Sequence, residues 1–403
     1  NDIPLDVDYT PAISSYTGDT WHVNFGQGDP DGENNFADGN GRGGFRYEPP
    51  TGYVSLCTAN MKDADFAPIG PNSAEGTPDQ HFDTLLWRGN GISPRHIGGL
   101  NFRPDLVWMA NRTTISHQTL FDTLRGPNKR IISNSSGVED TQPMCLSFDP
   151  DGFTTGDDRN NANNYVAWCW KAGNKTEINS DGSIQSTVSV NQTAGFSIVS
   201  FSGSGANGNV GHGLDQAPEW VIYKALDDAY SWDTYHHKAG ATPHQATLKL
   251  DTNAAVRNVV HEAVTTTTIP STHTYTGGSA SGKRVIAYCW HGVEGYSKFG
   301  SYKANDGANG PFVYLGFKPA MVIIKNASSA QNWHLQDNKR SPSNPCDNAI
   351  FPNDTAVEND NGDIDFLANG FKIRTTEETT NQGTDTFIYM AFAEMPFKYA
   401  TAR

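Results

Sequence analysis

Two clusters of aromatic and polar residues carry the side-chain types that most resemble a ligand site. Exposed aromatic rings beside carboxylates are a common way for β-proteins to bind sugars, because a ring can stack on the apolar face of a pyranose. We expect glycan- or receptor-binding residues here, namely Tyr230, Trp232, Tyr235 and His236 in one cluster and Trp333 and His334 in the other. The alternative is that these rings belong to a core, as most aromatic residues in strands do.

Acidic turns supply a second candidate chemistry. Alternating carboxylates around a glycine can offer oxygen ligands to Ca²⁺. Two turns fit this pattern, with candidate calcium ligands at Asp149, Asp151 and Asp157 and at Asp360, Asp363 and Asp365. Neither turn has the glutamate that completes an EF-hand loop, and Asp-Gly is also common in tight turns. Calcium is therefore the one cofactor we consider, with plain turns as the alternative.

Motifs for catalysis are missing from the sequence. There is no GxSxG elbow, no HExxH pair and no phosphate-binding loop. His212, His236 and His237 could contribute to a zinc site only if the fold supplied further ligands. We therefore predict a protein that is not an enzyme.

Composition and charge limit the fold class and the kinds of partner that we expect for this chain. The chain has 403 residues, a formal charge of −15, 40 Gly, 22 Pro and 44 aromatic residues. Gly, Pro, Ser, Thr and Asn in these proportions favour short strands joined by turns. A dispersed negative charge repels phosphate backbones and anionic lipid, so we expect neither nucleic acid nor membrane insertion.

Five cysteines, widely spaced and odd in number, do not form a disulfide framework. Cys169 and Cys289 lie in apolar runs that end in tryptophan, YVAWCW and VIAYCW. We predict that both are reduced and buried at the same place in two related modules, with Ala391 there in a third.

A repeated pattern organises most of the chain. An aromatic strand, a Gly/Asn turn and a proline followed by an apolar strand recur three times. The opening phenylalanines Phe82, Phe196 and Phe299 lie 22, 22 and 20 positions before Pro104, Pro218 and Pro319. Proline suits the entry to a strand because it lacks an N–H donor and has a fixed φ. The strands after these prolines are nearly continuous in apolarity, which predicts central strands covered on both faces.

The predicted fold class is all-β, with three tandem antiparallel β-sandwich modules of concanavalin or jelly-roll type, and a small barrel as the alternative. Each module closes with a second apolar strand, and copy two lacks a clear match to the turn-plus-strand DGFTTG of copy one. The predicted divisions are the end of another β-domain or a docking extension (1–61), a linker (62–80), module 1 (81–173), module 2 with its leading linker (174–294) and module 3 (295–403).

The segment FGQG…GGFRYEPPTGYVSLCTANM resembles the last strands of SPRY-type domains in phage tail proteins. The motifs that follow, among them FDTLRG, DGFTTG, YVAWCWKAG and GPFVYLGFKPA, resemble a repeated domain of unknown function in tail fibre and other virion proteins of marine bacteriophages. This resemblance implies a virion protein exposed outside the cell. It carries no assigned chemistry.

The resemblance and the composition together predict a tail fibre or appendage subunit for host attachment. The expected partners are other virion tail proteins, a bacterial surface glycan or protein, and further copies of the chain, with a homotrimer favoured by analogy with fibres. The alternatives are a cellular surface or secreted adhesin or filament subunit and, more distantly, a tail depolymerase.

Overall fold

The computed structural model describes residues 36–39, 41, 45, 47–51, 69, 76–240, 246–258, 263–271, 281–360 and 362–394. Contacts divide the chain into two compact units, Asn1–Lys62 and Asp63–Arg403. Most of the predicted SPRY-like segment lies outside the described residues, and within it Phe36 and Phe45 form an antiparallel bridge. The architecture below is that of the second unit.

The regular secondary structure is almost entirely antiparallel strand, as the composition predicts, with 43% strand and 3% helix in the described part of the chain. Module 1 begins with a 3₁₀ turn at Pro78–Gln80, and a second 3₁₀ turn covers Asp157–Arg159. Its strands are β1 (Phe82–Arg88), β2 (Arg95–Gly98), β3 (Leu106–Asn111), β4 (Thr119–Asp122), β5 (Lys129–Ile132), β6 (Asp140–Thr141), β7 (Ser147–Asp149), β8 (Gly152–Thr155) and β9 (Asn164–Trp170).

Modules 2 and 3 repeat this plan with changes at the sheet edges. Module 2 contains β10 (Glu177–Asn179), β11 (Ser186–Asn191), β12 (Phe196–Ser202), β13 (Gly208–Gly211), β14 (Trp220–Ala225), β15 (Asp233–His236), β16 (Ala246–Lys249), β17 (Arg257–Asn258), β18 (Thr268–Ser271) and β19 (Arg284–Trp290). Module 3 contains β20 (Ser297–Lys303), β21 (Phe312–Tyr314), β22 (Pro319–Asn326), β23 (His334–Asp337), β24 (Ile364–Leu367), β25 (Gly370–Ile373), the short helix α1 (Glu378–Asn381) and β26 (Thr386–Ala393).

Each module pairs a main sheet with a small sheet. The main sheets run β1-β9-β3-β4-β5-β6, β10-β11-β12-β19-β14-β15-β16-β17 and β20-β26-β22-β23, and the small sheets run β2-β8-β7, β13-β18 and β21-β25-β24. None of these sheets closes within the described residues, which favours the sandwich over the barrel. Strand β18 pairs with β13 as β8 pairs with β2, so it supplies the turn-plus-strand equivalent that the sequence pattern of copy two obscures.

The strands after the three prolines, β3, β14 and β22, are central and fully buried, as predicted. Pairing also corrects the third repeat. Ser297 pairs with Phe392 as Phe82 pairs with Trp170, so module 3 begins at Ser297, 22 positions before Pro319. The proline spacing is therefore the same in all three modules.

The central strand after the proline is buried on both faces in every main sheet, but against different partners. In β3, Leu106 and Trp108 face a core that all three modules share, while Val107 and Met109 face the small sheet of module 1. The same alternation recurs in β14 and β22. Because side chains alternate along a strand, one apolar run serves both cores. The three sandwiches are therefore parts of one compact unit.

At the centre of the shared core, equivalent aromatic residues from the closing strands meet. The ring of Trp170 lies 6.2 Å from that of Trp290 and 5.8 Å from that of Phe392. The residues just before them, Cys169, Cys289 and Ala391, face the other way, are fully buried and occupy the same register position. Both cysteines are free thiols. The prediction of one equivalent buried site is confirmed.

Side chains from each module also bind the backbone of a neighbouring module in cyclic order, 1 to 3, 2 to 1 and 3 to 2. Each donor immediately precedes the strand that follows the buried central strand of its module, namely β4, β15 or β23. The three hydrogen bonds run from Gln118 Nε2 to Phe351 O (2.6 Å), from Trp232 Nε1 to Ile132 O (2.8 Å) and from Trp333 Nε1 to Lys249 O (3.0 Å). The modules are thus related by an approximate three-fold repetition within one chain.

Candidate functional site

The aromatic cluster predicted on the second module is not a surface site. Trp232 is fully buried, and its indole N–H donates to carbonyls of module 1. His236 is 2% exposed and Tyr235 is 8% exposed. The nearby carboxylates of Asp227 and Asp228 form ion pairs with Arg284 and Lys283, at 2.7 and 3.0 Å. The outward placement is therefore wrong for these three residues, because Trp232 and His236 contact modules 1 and 3 and Tyr235 packs in the core of module 2.

The cluster on the third module is buried for the same reason. Trp333 and His334 have no exposed surface. Asp337, whose carboxylate suggested a sugar contact, is buried in an ion pair with Arg340 (2.6 Å). Of the predicted binding residues, Tyr230 alone is exposed, at 51%. The sequence pattern could not separate a stacking ring from one that packs under a neighbouring module.

In the first acidic turn, the carboxylates of Asp149 and Asp151 contact other side chains of module 1. Asp149 accepts hydrogen bonds from Ser147 and Thr154, and its Oδ2 lies 3.0 Å from His96 Nδ1. The other imidazole nitrogen lies 3.1 Å from Asp151 Oδ1. Partial burial raises the pKa of Asp149, but hydrogen bonds from Thr154, Ser147 and His96 outweigh it, so the pKa lies below the ordinary value.

The remaining calcium candidates do not assemble either. Asp157 begins a 3₁₀ turn, Asp360 is exposed, and Asp363 accepts the backbone N–H of Arg374 through its carbonyl. The Asp365 carboxylate lies 3.6 Å from the Arg374 guanidinium. Among the residues that the structure describes, no three His, Cys, Asp or Glu side chains are placed to hold a metal ion. Neither the calcium turns nor the zinc grouping of His212, His236 and His237 is supported.

The outer faces of the small sheets are the surfaces that differ most between modules. They are equivalent by pairing, because Ile97, Val210 and Val313 each point inward from the first strand of their small sheet. On module 1 this outer face carries the His96 network. On module 2 an added side chain at Gly211 would collide with Asn179. Strand β10, which contains Asn179, therefore covers this position.

Module 3 presents an open aromatic face. Phe312 and Tyr314 flank the buried Val313 on β21, and their side chains are 46% and 60% exposed. Phe312 lies over Gly370 on the adjacent strand, where an added Cβ would come within 3.1 Å of the ring. The two rings lie on one face of an ordered strand, and because they are two residues apart the strand rise separates them by about 7 Å. Such a pair forms a platform that can stack on sugar rings.

Two lysines border this aromatic face. The ammonium of Lys298 lies 5.0 Å from the Tyr314 ring centroid and donates to the Tyr314 carbonyl at 3.0 Å. Lys372 pairs with Phe312 across the sheet and donates to the carbonyl of Gly310 at 2.8 Å. We define the module 3 face as Lys298, Phe312, Tyr314, Gly370 and Lys372.

A polar groove of about 800 Å³ is a second surface feature. It lies beside β10 and β11, and its polar lining includes Lys171, Lys175, Asn179, Asp181, Asn191 and Gln192. The amide of Asn191 is held by the Lys171 carbonyl at 3.1 Å. None of its described lining residues is Phe, Tyr or Trp.

Sequence reasoning missed Phe312 and Tyr314. The run GPFVYLG (Gly310–Gly316) contains the signal, since aromatic residues two apart around a valine indicate a strand with one aromatic face. Its short length and position between Pro311 and Gly316 are typical of an edge strand, where such a face can stay open.

No helix in the described part of the chain combines the length and apolarity needed to cross a membrane.

Comparison with known proteins gives one family. No curated protein matches the chain. The family model described as "Domain of unknown function (DUF7483)" matches residues 77–396. The match runs through all three modules, in agreement with their shared core. The chain therefore belongs to the DUF7483 family.

Proposed function

We propose that the protein is a non-catalytic attachment protein, a subunit of a bacteriophage tail fibre or other appendage, which binds a glycan on the host surface. The observation that carries the binding role is the exposed pair Phe312 and Tyr314 on the module 3 face. The virion location, outside the cell, is supported by the sequence resemblance to marine phage tail proteins.

A rigid scaffold favours this role. Val313, between the two rings, is anchored in a core with Phe371 and Tyr389, and the rings are thereby held on a fixed strand. A pre-organised platform loses little conformational entropy on binding, which benefits weak ligands such as sugars. Contacts of modest affinity then suffice if several are engaged together.

We also propose that the protein forms a homo-oligomer, with a trimer favoured, because attachment by weak contacts benefits from multivalency. Linked copies of one face convert weak binding into strong attachment without new contacts. Docking would be to other tail proteins of the particle. Mass spectrometry of purified particles and light scattering of the isolated protein test location and oligomeric state.

The binding role is tested with the double variant F312A/Y314A. We expect it to fold normally and to lose most adsorption of the protein to host cells, because both stacking rings are removed. Y230A is the matched control, since Tyr230 is similarly exposed but lies outside the module 3 face. Normal adsorption by a folded F312A/Y314A, or equal loss with Y230A, would contradict the proposal.

A further inference from the structure

The two cations of the module 3 face make no ion pair with any described residue, whereas two other cations of module 3 do. Lys318 and Arg374, elsewhere in module 3, are paired with Glu394 and Asp365. Among the described residues, no carboxylate lies within ion-pair distance of Lys298 or Lys372, and each ammonium donates instead to a backbone carbonyl. Asp365 lies opposite Lys372 on β24, but its carboxylate is turned to Arg374, so neither ammonium of the module 3 face is held in an ion pair with a described residue.

The chain as a whole has a formal charge of −15. Surface cations in an acidic protein are readily neutralised by nearby carboxylates, and two that are not create a local positive potential. Each ammonium has three N–H donors, and one carbonyl acceptor leaves donors for a ligand. The positive groups stand directly beside the exposed rings Phe312 and Tyr314.

We infer that the module 3 face binds an anionic polysaccharide, with sugar rings stacked on Phe312 and Tyr314 and the negative groups contacting Lys298 and Lys372. This inference rests on the proposed function and adds the ligand class. Rings recognise the apolar face of a pyranose, and ammonium groups recognise its carboxylate or phosphate substituents. Charge complementarity of this kind sets specificity and makes binding sensitive to salt.

The test measures binding of the full chain to three probes: a uronate oligosaccharide, the same oligosaccharide after carboxyl reduction, and a phosphorylated oligosaccharide. We expect at least one anionic probe to bind about tenfold more tightly than the neutral one, the sum of two exposed charge contacts. That preference should fall with added NaCl. Which anionic probe binds identifies the carboxylate or the phosphate as the natural group.

Variants then locate the preference. K298M/K372M should bind the anionic and neutral probes equally, while the charge-matched control K129M/K303M, with both lysines outside the module 3 face, keeps the preference. Equal binding of all probes by the native protein, or a preference that survives K298M/K372M, overturns the inference. If the inference fails in this way, loss of neutral-sugar binding in F312A/Y314A would still support the proposed function. Normal adsorption by F312A/Y314A would contradict both the inference and the proposed function.

Discussion

The indole N–H of Trp232 in module 2 donates to the carbonyl of Ile132 in module 1 at 2.8 Å, and this hydrogen bond crosses from one sandwich to the next. Trp333 makes the equivalent bond to Lys249 of module 2. The two tryptophans that resemble sugar-binding residues in the sequence thus form hydrogen bonds that join the three modules.

The first prediction follows from this bond. W232F removes the donor and leaves the Ile132 and Ser135 carbonyls without it, so the free energy of unfolding should fall by about 1–3 kcal/mol more than in W108F. Trp108 is the matched control, because its buried indole nitrogen has no hydrogen-bond partner among the residues that the structure describes. Denaturant unfolding measures both variants. Equal losses would show that the joint hydrogen bond contributes nothing.

The second prediction concerns independence of the modules. Residues 81–173 expressed alone would expose Leu106, Trp108, Trp168 and Trp170, which face the shared core. We expect this fragment to be unfolded or aggregated, while residues 77–396 unfold in one cooperative transition. Circular dichroism and size-exclusion chromatography provide the measurement. A soluble, monomeric fragment with its own cooperative melt would contradict the shared-core account.

The limits of sequence reasoning are visible in these same residues. The nearly continuous apolarity of β3, β14 and β22 predicts that both faces are covered, and the spacing to Pro104, Pro218 and Pro319 predicts equivalent strands. Neither indicates what covers the second face, because one apolar run fits a packed sheet, a helix layer or a neighbouring module equally well. Trp232 and Trp333 were misplaced for that reason, and the exposed pair at Phe312 and Tyr314 was missed with them.

The third prediction is that the free energy of unfolding depends on pH through Lys325, which lies at the contact between modules 2 and 3. The Lys325 ammonium is buried and contacts the carbonyls of Asn253, Asn326 and Gln331. Burial lowers the pKa of Lys325 from 10.5 to about 7. Between these values the unfolded chain binds more protons than the native chain, so the stability contribution of Lys325 rises with pH, by at most about 1.4 kcal/mol per pH unit.

The measurement compares the native protein with K325M from pH 6 to 8.5. The difference in free energy of unfolding should stay level below pH 7 and shift in favour of the native protein above it. Using the difference cancels the buried thiols, which titrate on unfolding at higher pH in both proteins. A difference that stays constant across the whole range would mean that Lys325 keeps its proton.

The fourth prediction concerns thiol reactivity. Cys145, Cys169, Cys289 and Cys346 are buried free thiols, and burial raises the pKa of each. Since the thiolate is the reactive form, these four should resist Ellman's reagent in the native protein and react in denaturant. Rapid native reaction of more than one thiol would contradict this burial, since Cys57 lies outside the described residues.

The central claim, that the module 3 face is where the protein meets its glycan, is tested most directly by hydrogen–deuterium exchange with and without host polysaccharide. The account predicts slower exchange in peptides that contain Phe312–Tyr314 and Gly370–Ile373, with no change in equivalent peptides of module 1. Protection confined to the groove beside β10 and β11, or to the loop around Tyr230, would contradict it.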